Sequence, residues 1–185
     1  LWDIGLLAPV QAGLVEQASP FLHALYGAPL ATVHLAVRDG IPWAADGVDR
    51  AGTVHVGGSI EDIAAAEAAT SRGEMPARPF VLVAQQSVAD PTRAVDGVHP
   101  IYAYAHVPAG WSGDGERAIV DQIERFAPGF SERIVASSST GPAALELHDA
   151  NLVRGDIVGG TNDPWQLVGR PRLALDPYAT GVPGA

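Results

Sequence analysis

Ile101-Tyr102-Ala103-Tyr104-Ala105-His106-Val107 alternates strictly between aliphatic residues and aromatic or polar ones. Successive side chains on an extended strand point to opposite faces, so this segment places Tyr102, Tyr104 and His106 together on one face. It is predicted to be a half-buried strand, paired with the apolar run Phe80-Val81-Leu82-Val83-Ala84. That second run is continuous, and is expected to be buried on both faces.

Further elements follow from the same periodicities. Leu30 to Val37 is rich in aliphatic and β-branched residues and runs into the turn Arg38-Asp39-Gly40, which reads as a strand. Thr53-Val54-His55-Val56 is a second short strand, closed by Gly57-Gly58. Ser59 is placed to cap the alanine-rich helix that follows, with Asp62 three residues on as in a capping box, and Gly73 marks its end. Asp90-Pro91-Thr92-Arg93 is turn chemistry. Asp114 caps a helix in which Ile119, Ile123 and Phe126 recur at helical spacing up to Pro128-Gly129. A strand over Ile134 to Thr140 and a short helix over Pro142 to Leu147 complete the series. The fold class is therefore α+β, a mixed β-sheet of about five strands backed by helices. Residues 1–28 are expected to form short helices between breakers, 29–147 the α+β core, and 148–185 a loop-rich segment.

Composition narrows the chemistry. The 185 residues suit one domain, and 47% hydrophobic content is enough for a core. The formal net charge of −10 argues against a dedicated nucleic-acid binder, which needs a cationic face. All 11 basic residues are arginine, so a Schiff-base or P-loop lysine is excluded. With no cysteine there is no disulfide, thiolate nucleophile or cysteine metal site, which is compatible with a cytoplasmic location. No apolar run reaches the roughly 18 residues of a membrane span. The chain begins at Leu1 without methionine and ends just after a Pro/Gly turn, and we expect a piece of a longer polypeptide.

Candidate sites are few. Gly57-Gly58-Ser59 lies between strand and helix, but Glu61 and Asp62 occupy the helix's positive end, so a turn with a cap is favoured over an anion site. No two of the histidines 23, 34, 55, 99, 106 and 148 have the i, i+4 spacing of a metalloprotease, and no metal site is expected. No serine sits in a Gly-x-Ser-x-Gly elbow, and Ser137-Ser138-Ser139-Thr140 fits a solvated strand end. The segment from Asn151 to Asp163 holds Gly155, Gly159 and Gly160, which would let backbone approach a ligand closely, or form an ordinary surface loop.

Several stretches together resemble the phytoene desaturase-like FAD-dependent oxidoreductases, the bacterial branch related to carotenoid desaturases and retinol saturase. They are Ala51-Gly52-Thr53-Val54-His55-Val56-Gly57-Gly58, Glu61-Asp62-Ile63-Ala64-Ala65-Ala66-Glu67 and Arg78-Pro79-Phe80-Val81-Leu82-Val83-Ala84-Gln85. Asp90-Pro91-Thr92-Arg93-Ala94, Ile123-Glu124-Arg125-Phe126-Ala127-Pro128-Gly129-Phe130, Gly155-Asp156-Ile157 with Gly159-Gly160, and Arg170-Pro171 through Pro177-Tyr178 continue them in family order. The resemblance implies a substrate-binding region of the flavoprotein, with both principal FAD elements outside this chain. It implies Gly155, Asp156, Gly159 and Gly160 near the flavin. Where the family pattern carries two tyrosines and a proline, this chain reads His148-Asp149-Ala150-Asn151-Leu152-Val153-Arg154-Gly155. Arg154 could then receive an anionic group or stay solvated.

The resulting expectation is a fragment of an FAD-dependent oxidoreductase acting on an apolar small molecule. Tyr102, Tyr104, His106 and Arg154 are the candidate substrate-facing residues, and no catalytic residue is named. The alternative is a non-catalytic α+β binding or assembly module, or one half of a split flavoprotein. Partners would be the FAD-binding half, on the same or another polypeptide, and a second copy through self-association. A peripheral membrane contact stays open, and a hydrolase would have to react with a serine-directed probe.

Overall fold

The computed structural model describes residues 29–157. Its frame is a five-stranded sheet in the order β2-β3-β4-β1-β5. The strands are β1 Leu30–Arg38, β2 Thr53–Val56, β3 Val81–Gln85, β4 Val98–His106 and β5 Ile134–Thr140. Helices α1 (Ile60–Ser71), α2 (Gln86–Ala89), α3 (Gly115–Glu124) and α4 (Pro142–His148) lie between and after them. The α+β class and the five-stranded sheet backed by helices agree with the sequence reading. Each strand pairing is antiparallel.

The core forms on one face of this sheet. Val33, Leu35 and Val37 of β1 and Ile101, Ala103 and Ala105 of β4 are buried at alternate positions. Helix α3 lays Ile119 and Ile123, both fully buried, onto that face, and Ala127 and Phe130 close it. Each isoleucine removed from water contributes about 1.5–3 kcal/mol. The helix starts where expected, because the Asp114 carboxylate accepts from the Arg117 N–H at 2.9 Å. It also lies close to β1: a Cβ on Gly115 would stand 2.7 Å from Ala31 Cβ.

The Gln85 side chain ties loop 41–52 to the sheet at three points, beside the backbone bond from Gln85 N–H to the Gly52 carbonyl. Gln85 is 5% exposed; its Nε2 donates to the carbonyls of Val48 and Ala51 at 3.1 and 2.7 Å. Its Oε1 accepts from Trp43 Nε1 at 3.0 Å, so the buried side chain is satisfied.

Helix α1 carries the capping box read from sequence. The Asp62 N–H donates to Ser59 Oγ at 3.2 Å, and the Ser59 N–H to Asp62 Oδ2 at 3.1 Å. Gly57-Gly58 is a turn into this cap. A Cβ on Gly57 would lie 2.5 Å from Ile63, and Gly58 has φ +96°. Gly73 ends the helix with φ +82°, its N–H bonded to the Thr70 carbonyl.

One expectation is corrected. The run Phe80–Ala84 was expected to be buried on both faces, but only Val81, Val83 and Gln85 are buried while Leu82 and Ala84 stay half-buried. Among the described residues no element comparable to α3 covers the second face over β3, and burial alternates. The edge strand β5 is largely exposed through Ser137-Ser138-Ser139, as a solvated strand end should be. The helices expected within 1–28, and most of the loop-rich segment, 158–185, lie outside the described residues. Among the described residues no helix is long and apolar enough to cross a membrane.

Two outcomes follow. Ile123→Ala should lower stability by about 2–5 kcal/mol in chemical denaturation, because it opens a cavity under β1. The Glu124 carboxylate accepts the backbone N–H groups of Ser131 and Gly129, and these bonds hold its pKa below the usual carboxylate range. Its stabilisation is then present above the ordinary carboxylate pKa and lost as pH falls through the lower folded-state value. Glu124→Gln should melt lower at neutral pH and lose less further stability on acidification, as thermal melts across that range would show.

Candidate functional site

The second face of the sheet carries a row of rings. Register aligns His34 of β1 with Tyr102 of β4, and places Leu82 and then His55 beside Tyr104. Ring centroids are 5.0 Å apart for His34 and Tyr102, and 6.1 Å for Tyr102 and Tyr104. The row continues from Tyr104 to His106 at 6.1 Å, to Phe80 at 6.4 Å and to His55 at 5.3 Å. These tilted and edge-on arrangements are those that aromatic quadrupoles favour. Tyr102, Tyr104, His106 and Phe80 are half-buried, whereas His34 and His55 are exposed. The alternation in β4 thus delivers its three polar and aromatic side chains to one surface, as the sequence reading required.

At one end the row meets helix α1. Glu67 reaches down to His106, with both carboxylate oxygens 2.9 Å from Nδ1. Toward the other end, next to His34, lies a shallow, open depression of about 470 Å³. Ala36, Arg93, Val95, Pro100 and Ser138 line it with His34. The face therefore offers an apolar, ring-lined surface with one carboxylate-held imidazole at a corner.

Burial raises the Tyr102 pKa above the ordinary phenol range, and the neighbouring Tyr104 phenol adds to the effect. A hydroxyl so placed stays protonated and can donate a hydrogen bond across the physiological range.

The described part of the glycine segment, up to Ile157, sits elsewhere. Arg154 adopts a left-handed backbone with φ +56°, and its Nη2 donates to the Ala109 carbonyl at 3.1 Å. Among the described residues no contact joins Arg154 to the ring row. Gly155 has φ +86°, and a Cβ there would stand 2.5 Å from the Pro142 Cα. Its close backbone approach is thus made to helix α4 of the same chain. Asp156 is 1% exposed, and forms a β-bridge with Pro29 at the start of β1. As they stand these two residues do not fit a flavin cradle, since the chain's own backbone fills the space beside them. Gly159 and Gly160 lie outside the described residues.

A smaller pocket of about 190 Å³ is lined by Asp39, Asp49, Gln85, Ser87 and His99. Ser87 Oγ is 2.8 Å from His99 Nδ1. Among the described residues no carboxylate hydrogen-bonds His99, so the pair lacks the orienting third group of a nucleophilic triad. His99 and His106 face opposite ways on β4, as their spacing required. No group of three or more His, Asp or Glu among the described residues is arranged to hold a metal ion.

Sequence reasoning found Tyr102, Tyr104 and His106 but missed Glu67, His34, His55 and Phe80. The capping box could have oriented α1, yet nothing local reveals which of its residues reaches a strand 39 positions away.

Neither the family models nor the curated proteins compared with the chain include a match.

Gly155→Ala should be destabilising by about 2–4 kcal/mol, from left-handed strain together with overpacking against Pro142. A larger aliphatic side chain there should abolish cooperative unfolding. For Tyr102 the folded state holds its proton above the ordinary phenol pKa. Its stability contribution is full below that pKa and is lost as pH rises through the folded-state value. In an alkaline absorbance titration, Tyr102→Phe should remove the phenolate signal that develops above the ordinary range.

Proposed function

We propose that residues 29–157 form the substrate-facing part of a phytoene desaturase-like, FAD-dependent oxidoreductase, with the ring-lined face turned toward an apolar small molecule. The observation that carries this reading is the one-sided sheet. One face is sealed by α3, while the other presents His34, Tyr102, Tyr104, His106 and Phe80 as a continuous ring row. Rings at 5–6 Å spacing suit an extended or flat apolar ligand, and the half-buried tyrosine hydroxyls and His106 imidazole can fix its orientation. In this reading FAD supplies the redox chemistry, and this chain orients the substrate and excludes water. The flavin is held by elements outside 29–157, on the same or a partner polypeptide, because Gly155 and Asp156 contact their own chain. The protein would work in the cytoplasm, at the edge of a membrane from which an apolar substrate is drawn.

The second reading is a non-catalytic binding or assembly module, including one half of a split flavoprotein. The same packing of Gly155 against Pro142 favours it, since the described residues offer no flavin cradle. The two readings separate on the product of the natural gene, isolated without denaturant. The oxidoreductase reading expects visible flavin absorbance in that product or in a partner that co-purifies with it. A colourless product with neither rejects it. Within a flavin-loaded enzyme, Tyr102→Ala should weaken apolar-substrate affinity about tenfold, corresponding to about 1.4 kcal/mol. An unchanged KM and kcat would remove the ring row from the substrate site. Separated from its flavin half, the chain should self-associate through the uncovered face, which light scattering at micromolar concentration would detect.

A further inference from the structure

Among the described residues, His106 is the one ring of the row whose nitrogen is held by a carboxylate. An ionised carboxylate only accepts hydrogen bonds, so Nδ1 must be the donor and the neutral ring keeps its lone pair on Nε2. That Nε2 makes no hydrogen bond among the described residues, and the His106 side chain is 25% exposed. Tyr104 and Phe80 flank the ring at 6.1 and 6.4 Å and give it an apolar setting. Helix α1 starts at the Ser59–Asp62 cap, with Ile63 close to the Gly57 turn, and Glu67 lies two turns further along.

We propose that Glu67 and His106 form a proton-accepting dyad at the corner of the ring-lined face, and that the face takes a flat apolar ligand carrying a hydroxyl. The inference rests on reading that face as the ligand surface. The hydroxyl donates to His106 Nε2, or transfers its proton there while its oxygen keeps the bonding electron pair. The imidazolium so formed retains its Nδ1–H on Glu67, whose negative charge stabilises it through a charge-assisted hydrogen bond. Glu67 is a positioning residue that acts through His106.

The test compares 2-naphthol with 2-methoxynaphthalene, which has the same rings without the donor. Affinities are measured by NMR on the wild type, Glu67→Gln and His106→Phe, with imidazole ¹⁵N shifts reporting the tautomer. The wild type should prefer 2-naphthol about tenfold, the effect of one hydrogen bond to a well-placed partner. Both variants should lose that preference for the hydroxyl over the ether, and Glu67→Gln should move imidazole protons from Nδ1 to Nε2. If the ether shifts Tyr102 and Tyr104 signals but the hydroxyl adds nothing, the dyad is overturned and the ligand face stands. If neither compound binds, both are overturned. An equal loss of both affinities in Glu67→Gln would mark a purely structural contact and also overturn the proposal, as would an unchanged tautomer.

Discussion

The structure depends on the burial of the sheet face that α3 covers. Val33, Leu35 and Val37 of β1 meet Ile101, Ala103 and Ala105 of β4 at the centre, and Ile119 and Ile123 of α3 seal them. These side chains, with Val81, Val83 and Phe130, are buried apolar surface that opposes chain entropy. The opposite face carries the rings, and beside them the buried Leu30 and Thr32 of β1. Tyr102, Tyr104 and His106 can stand there because the residues between them already anchor the strand.

The same one-sidedness explains how the face acquires chemistry. Antiparallel register sets His34 beside Tyr102 and brings Phe80 next to His106, forming a surface of π-faces rather than a packed core. Helix α1 supplies a carboxylate at one corner of this surface. Glu67 then determines which nitrogen of His106 carries the proton, turning an amphipathic strand residue into an oriented base. The loops follow a different logic, and Gln85 and Gly155 serve packing. One satisfies three polar groups of the loop at 41–52, and the other lets α4 close against the chain near β1.

Legibility from sequence was uneven for physical reasons. Strand β2 could be read directly, since the largely β-branched run Thr53-Val54-His55-Val56 is bounded by Gly52 and Gly57, and β5 was legible from Ile134-Val135 and its stop at Gly141-Pro142. The Ser59–Asp62 cap and the Asp114 cap were likewise legible, because the donor, acceptor and helix lie within four residues of one another. The run Phe80–Ala84 misled, since a continuous apolar stretch does not reveal whether both faces find a cover. Gly155 was singled out as a glycine with a purpose, but the surface it approaches is Pro142, which no local pattern indicates.

The amino-acid order by itself determined the secondary elements, their caps, and the division of β4 into an aliphatic face and a ring-bearing one. Those features depend on residues a few positions apart and on the fixed periods of helix and strand. Tertiary structure alone decided that Glu67 meets His106, that His55 and Phe80 extend the row, and that Gly155 packs against Pro142. Such meetings depend on strand order, register and the placement of helices on the sheet, which arise from the packing of the whole chain and leave no local periodicity to read.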